Sequence, residues 1–156
     1  MESPLGALTL RGTEAALTAV EFGRREGEER PSPVLEQAAA ELAAYFAGAR
    51  RVFTVPLDPA GTPFQRRVWE ALRSIPYGKT ASYGAIAAQI GNPRAARAVG
   101  MANHCNPIPI LIPCHRVVGA DGSLTGYAGG VARKEWLLRH EGALCTGHGT
   151  GGGKIR

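Results

Sequence analysis

The chain has 156 residues, 44% of them hydrophobic and 20% charged, which suits one globular domain or two small ones and excludes a disordered or fibrous protein. Its 21 glycines follow no Gly-X-Y period, no apolar run approaches the ~18 residues of a membrane span, and Met1 to Leu5 lack a secretory signal, so an intracellular protein is expected. The net charge of +5 is uneven: residues 1–60 carry 6 Lys and Arg against 9 Asp and Glu, while residues 61–156 carry 12 against 4, so the second part is the one expected to meet a polyanion.

Gly6–Leu10 and Ala16–Val20 alternate in part and read as strands of a small sheet. The charged run from Arg24 to Arg30 reads as a loop. Ser32-Pro33 then opens a helix with Leu35, Ala38, Ala39, Leu42 and Phe46 as its apolar stripe, and Gly48 ends it. Val52–Pro56 reads as a further short strand. Asp58-Pro59-Ala60-Gly61 reads as a linker, which separates an N-terminal sheet-and-helix domain, 1–60, from a second domain, 61–143.

Thr62-Pro63-Phe64-Gln65 has capping-box spacing and starts a helix with Phe64, Val68, Ala71, Leu72 and Ile75 on one face, broken at Pro76-Tyr77-Gly78. Ser82 caps a helix to about Ile90, Gly91 turns the chain, and Asn92-Pro93 caps a second helix to about Asn103. Helix, glycine turn, helix is the helix-turn-helix pattern, although an ordinary α-hairpin shares it. Ala95, Ala96, Ala98, Gly100 and Ala102 keep the second helix thin, with Arg94 and Arg97 read as its only long side chains. Such a helix suits close approach to a groove, and equally suits simple packing. Ile108–Pro113 is apolar, β-prone and proline-bounded, and is expected to cross the core. Val117-Val118 and Ser123-Leu124-Thr125 flank a hairpin signal at Ala120-Asp121-Gly122, Val131 to His140 forms a last helix bearing Trp136, Leu137 and Leu138, and residues 144–156 read as a disordered Gly-rich tail.

Three cysteines, Cys105, Cys114 and Cys145, fit neither a disulfide framework nor a CxxC metal site, so at least one thiol is expected to be free. In Pro113-Cys114-His115-Arg116 a thiol emerges from an apolar run beside an imidazole and a guanidinium, a setting that favours the nucleophilic thiolate. Consecutive strand residues point to opposite faces, so His115 can serve Cys114 only if the chain turns there or a water relays the proton. A carboxylate for the imidazole must come from Glu70, Asp121, Glu135 or Glu141, the acids after residue 60, and Glu141, just past the last helix, is the one selected.

The string Asn106-Pro107-Ile108-Pro109-Ile110-Leu111-Ile112-Pro113-Cys114-His115-Arg116-Val117-Val118 resembles the active-site signature of the O6-alkylguanine-DNA alkyltransferases. The similarity runs from Thr62 to Gly142 and takes in Tyr77-Gly78, Ser82-Tyr83, Gly91-Asn92-Pro93, Ala95 to Gly100, Gly126 to Gly130, and Lys134 to Leu138 with Glu141-Gly142; residues 1–60 match in layout only. The resemblance implies an α/β (α+β) fold: a small sheet-and-helix domain, then a mostly helical, winged helix-turn-helix-like alkyltransferase domain. It implies that Cys114 takes the alkyl group from guanine O6 once and irreversibly, that His115 receives the thiol proton through a water, that Glu141 holds the imidazole, and that Asn106 braces the turn. Tyr83 would donate to the guanine or its phosphate, Tyr127 would line the base pocket, and the Val117 and Val118 carbonyls with the Ala128 N–H would read the guanine edge.

The implied partner is double-stranded DNA containing O6-alkylguanine, with the nucleotide flipped out of the duplex. The second helix-turn-helix helix would lie in the minor groove with Arg97 filling the vacated stack; Arg94, Ala95, Ala96, Ala98, Asn92 and Ser82 complete the DNA-binding set. No cofactor is expected. No zinc is expected either, since animal relatives carry it in the N-terminal domain and no cysteine here precedes Cys105. Cys105 is expected to be structural, and the protein to be a monomer, cytoplasmic and nucleoid-associated in a prokaryote or nuclear in a eukaryote. The alternative is a non-catalytic alkylated-DNA lesion-binding protein, in which another residue replaces the acceptor; Cys114 argues against it.

Overall fold

The computed structural model describes residues 1–27, 29–124, 127 and 129–144. The chain divides into two compact units: Met1–Ala60 with Pro107–Pro109, and Gly61–Asn106 with the chain from Ile110 onward.

In the first unit β1 (Glu2–Ser3), β2 (Gly6–Gly12) and β3 (Leu17–Phe22) form an antiparallel sheet in that order, with Leu8 opposite Phe22 and Leu10 opposite Val20. The ladder shifts register at Gly12, where a Cβ would lie 2.7 Å from the Ala16 carbonyl oxygen. Helix α1 (Pro33–Phe46) starts as expected, the Ser32 hydroxyl accepting the Leu35 N–H at 3.2 Å. Its buried face, however, is Val34, Ala38, Glu41, Leu42 and Tyr45, turned from the predicted stripe so that a carboxylate lies inside. Glu41 is held there by N–H bonds from Thr54 (2.8 Å) and Val55 (3.1 Å) and by the Thr54 hydroxyl (2.6 Å). Burial pushes this carboxyl up, but those bonds and one from Gln37 outweigh it and bring it down to about 2.

The expected strand at Val52–Pro56 is therefore absent: its central N–H groups go to Glu41, and pairing is limited to an isolated parallel bridge between Leu17 and Leu57. On the sheet, Val20 N–H donates to the Pro107 carbonyl at 2.9 Å.

In the second unit α2 (Pro63–Leu72) has the full capping box at Thr62 and Gln65. It buries Val68, Trp69, Ala71 and Leu72, with Phe64 only half-buried; Trp69 Nε1–H reaches the Ala102 carbonyl at 2.8 Å and ties α2 to the helix bearing it. Helix α3 (Tyr83–Gln89) is capped by the Ser82 hydroxyl, which accepts the Ala85 N–H at 3.0 Å. Helix α4 (Ala96–His104) begins later than expected. Asn92-Pro93 closes a turn, with Ala95 N–H on the Asn92 carbonyl at 3.0 Å, and α4 has no side-chain cap.

The run before Cys114 is buried as predicted but is not a strand. Ile110 has φ +77, a conformation costly for a β-branched residue, and Cys114 N–H donates back to the Ile112 carbonyl at 2.7 Å across Pro113 (φ −79, ψ 63), an inverse γ-turn. A 3₁₀ turn, Cys114–Arg116, follows. Then β5 (Val117–Val118) pairs in parallel with β4 (Ala81–Ser82), and Gly119 N–H donates to the Ser123 carbonyl at 2.9 Å across the expected turn at Ala120-Asp121-Gly122. Thr125 lies outside the described residues. Helix α5 (Val131–His140) buries Lys134, Leu137 and Leu138. Trp136 is half-buried and stacks on His140 at 4.9 Å. The ordered fold includes Leu144, packed with Val118, Leu138 and Ala143, so the expected tail cannot begin at that residue; Cys145 to Arg156 lie outside the described residues.

Candidate active site

Four backbone features aim one thiol. The inverse γ-turn reverses the chain over Pro113, Asn106 Nδ2 braces the Ile112 carbonyl at 2.9 Å, Asn103 Nδ2 holds the Cys114 carbonyl at 3.3 Å, and the 3₁₀ turn carries Cys114, His115 and Arg116 in succession. Because the chain turns at the cysteine, strand alternation no longer separates Cys114 from His115. The role expected for Asn106 has a visible basis; Asn103 was missed, its signal being an amide on the buried face of a thin helix.

His115 is fully buried, and its Nε2 lies 2.8 Å from Glu141 Oε2. Arg116 grips the same carboxylate as a fork, Nε on Oε1 at 2.8 Å and Nη2 on Oε2 at 3.0 Å, while its Nη1 donates to the Ile75 carbonyl at 2.7 Å. Burial raises the Glu141 carboxyl, but His115 and Arg116 outweigh it and hold it well below the usual carboxylate range. Burial lowers the imidazole against the opposing pull of Glu141, so His115 is neutral near pH 7. An ionised Glu141 requires Nε2 to carry the hydrogen, which leaves Nδ1 as the acceptor nitrogen, and Nδ1 has no hydrogen-bond partner among the described residues.

The electrostatics correct one expectation. Arg116 does not favour the thiolate, because its charge is neutralised on Glu141, and burial pushes the Cys114 thiol up to about 11. The cation that opposes this rise is Lys134, fully buried on α5, its own ammonium brought down to about 8 by burial. Its Nζ sits 5.9 Å from the centroid of the Tyr83 ring. Lys134 is a second residue missed as a participant. Its signal is the spacing Lys134, Leu137, Leu138, Glu141, which places two opposite charges on the apolar face of one helix.

Tyr83 opens α3 and is half-buried, and Tyr127 is buried close enough to Cys114 for a thiolate to raise its phenol well above the ordinary value, behind burial as the first cause. Val117 and Val118 are buried on β5 directly after the turn. Ala128 lies outside the described residues. The expected DNA-binding residues are not gathered at the thiol: Arg97 and Ala98 are exposed on α4, Asn92 and Arg94 on the turn before it, Ala95 and Ala96 are half-buried, and Ser82 is occupied as the cap of α3. Met101, passed over among the long side chains of this helix, is 66% exposed. Cys105, expected to be structural, has an exposed thiol, and its backbone N–H closes α4 on Ala102 and Met101. Among the described residues no group of three or more His, Cys, Asp or Glu could hold a metal ion, and no helix is long and apolar enough to cross a membrane.

Two family models match: the 6-O-methylguanine DNA methyltransferase ribonuclease-like domain over residues 1–59 and the 6-O-methylguanine DNA methyltransferase DNA binding domain over residues 63–143. A methylated-DNA–protein-cysteine methyltransferase of Methanosarcina acetivorans is 52% identical over 149 residues, 91% of this chain and 96% of the relative. One of Salmonella typhimurium is 59% identical over 123 residues, 78% of this chain and 72% of the relative. The crystal structure of Mycobacterium tuberculosis O6-methylguanine methyltransferase superposes with a TM-score of 0.83 at 49% identity, covering 95% of this chain and 93% of that one. The Mycobacterium tuberculosis protein OGT, solved in complex with DNA, gives the same TM-score of 0.83 at 52% identity over 91% of this chain and 90% of that one. With both units matched and a relative more than half identical along nearly its whole length, this chain belongs to the 6-O-methylguanine DNA methyltransferase family.

Proposed function

We propose that this protein repairs DNA directly, moving the alkyl group of an O6-alkylguanine onto Cys114 Sγ in one stoichiometric event. The observation that carries this reading is the buried series Cys114, His115, Glu141, in which a neutral imidazole offers Nδ1 as a proton acceptor and is fixed from behind at 2.8 Å by an ionised carboxylate. The names of the relatives and the DNA complex of one of them support DNA as the partner.

The chemistry follows from the protonation states. A thiol pushed up to about 11 is protonated at rest, so its proton has to leave as attack proceeds, and His115 Nδ1 takes it through a water. The Sγ–C bond forms as the C–O6 bond breaks, and the electron pair stays on the guanine, which takes up one proton and becomes the ordinary base. Tyr83 is the proposed donor of that proton, and Lys134 holds compensating charge beside the developing thiolate. The thioether product offers no bond the site can hydrolyse, so each molecule reacts once. Tyr127 and the Val117 and Val118 carbonyls hold the flipped base, as does Ala128 N–H by the family pattern. Arg97 occupies the space the base leaves, with Arg94, Ala95, Ala96 and Ala98 along the groove.

The protein acts as a monomer wherever the chromosome is, in the cytoplasm of a prokaryote or the nucleus of a eukaryote. Intact mass after mixing with one equivalent of an O6-methylguanine duplex tests the central claim: one added methyl, located at Cys114 and absent in Cys114→Ala, is expected. Sustained turnover, or an unmodified protein that only binds the lesion, would overturn it.

A further inference from the structure

The reading of α4 as the groove helix leaves one side chain without a role, and the inference drawn from it rests on that reading. Met101 is one of three large hydrophobic residues exposed among the described residues, with Val52 and Val131. It is not a displaced core residue, since α4 packs through Val99, Ala102 and Asn103. Instead it lies four residues after Arg97, on the same exposed face and about 6 Å further along the axis. At ~3.4 Å per base pair, that spacing places Met101 one or two pairs from the site Arg97 fills.

The surroundings fit a polyanion. Residues 71–120 contain no Asp or Glu, and of their 5 Lys and Arg only Arg116 is buried on Glu141, so Arg73, Lys79, Arg94 and Arg97 are exposed and no acid from this stretch opposes a phosphate backbone. The thioether of Met101 is at best a weak acceptor, and in the minor groove the feature that tells G·C from A·T is the guanine 2-amino group projecting from the floor.

We propose that Met101 is a specificity-determining residue that disfavours a G·C pair one or two steps from the extruded nucleotide. Against A·T the side chain seats on the groove floor; against G·C it meets a projecting donor that it can neither pair nor leave hydrated.

The test uses the whole protein and duplexes holding one O6-methylguanine, with A·T or G·C at the first and second pairs on each side, under single-turnover conditions. Flanking A·T pairs ease extrusion by themselves, so the quantity read is the ratio of rates, A·T over G·C, in the wild type relative to Met101→Ala. Met101 is expected to raise that ratio about three- to tenfold on one side of the lesion, and Met101→Leu to retain the rise. An equal ratio in the wild type and Met101→Ala overturns the proposal. Arg97→Ala separates the two levels. If it loses transfer on duplex but not on the free O6-alkylguanine base while Met101→Ala leaves the ratio unchanged, only the role of Met101 falls. If Arg97→Ala loses equally on both substrates, α4 is not the groove helix and both ideas fall together.

Discussion

Glu141→Gln keeps the shape of the side chain and removes the charge on which His115 and Arg116 both depend. Three donors converge on this carboxylate, Arg116 Nε, Arg116 Nη2 and His115 Nε2, all within 3.0 Å. A glutamine supplies one oxygen and turns its NH2 toward at least one of those donors. The guanidinium, only 6% exposed, is left without its counter-charge. Removing one partner of a buried pair costs about 3–5 kcal/mol, a large part of the ~5–15 kcal/mol that holds a small protein folded. Urea denaturation should therefore show a lower midpoint at an unchanged slope. The imidazole loses its fixed tautomer at the same time, so single-turnover transfer should fall by ~10²–10⁴. Removing both charges, as Arg116→Met with Glu141→Leu, separates the effects: stability returns toward the wild type because no buried charge is stranded, while transfer stays slow. A Glu141→Gln protein with wild-type midpoint and rate, or a double variant that regains the rate, would refute the reasoning.

The folded state lowers the His115 pKa from 6.5, so the unfolded chain binds more protons below that value; stability should fall as pH drops from about 6.5 through the lowered value, and His115→Gln should flatten this part of a denaturation-midpoint profile. Glu141 adds stability that is present above its ordinary 4.5 and lost as pH falls through its lowered value, so midpoints of Glu141→Gln and wild type should converge toward low pH. Lys134→Met removes the cation that opposes the rise of the Cys114 thiol, and because that ammonium titrates at about 8, alkylation of Cys114 by a small thiol reagent should be slower than in the wild type at pH 7, with the two rates converging well above pH 8; equal rates at pH 7 would remove Lys134 from the site. Arg94→Ala should weaken duplex binding at all sequences and lower the slope of log K against log salt by ~0.9, one phosphate contact, with free-base transfer unchanged.

What was legible in the sequence was local. Ser32, Thr62 and Ser82 cap helices as read because a cap depends on a hydroxyl and an N–H three residues away. The cysteine and its histidine were legible for the same reason. What escaped depends on partners distant in the chain. The stripe of α1 departs from its periodicity because Glu41 is made burial-worthy by Thr54 and Val55, and Arg116 reads as a helper of the thiol because its partner is 25 positions further on. The apolar run before Cys114 has strand composition, yet its backbone is set by Asn106 on Ile112 and by the turn over Pro113, neither of which leaves a periodic trace.

The bond from Val20 N–H to the Pro107 carbonyl makes the first unit discontinuous in sequence, and this has a consequence for synthesis on the ribosome. When residue 60 emerges, the sheet and α1 exist as chain, but the acceptor for a buried strand residue has not been made. At about 5–20 residues per second, roughly 2–9 s pass before residue 107 is available, and in that interval α2, α3 and α4 are made. The amino-terminal unit is thus the first translated, yet it stays incomplete until Pro109 is made, when much of the second unit already exists as chain. A nascent chain released at residue 60 should remain more protease-sensitive than the same residues in the whole protein, and sensitivity should drop once translation has passed Pro109.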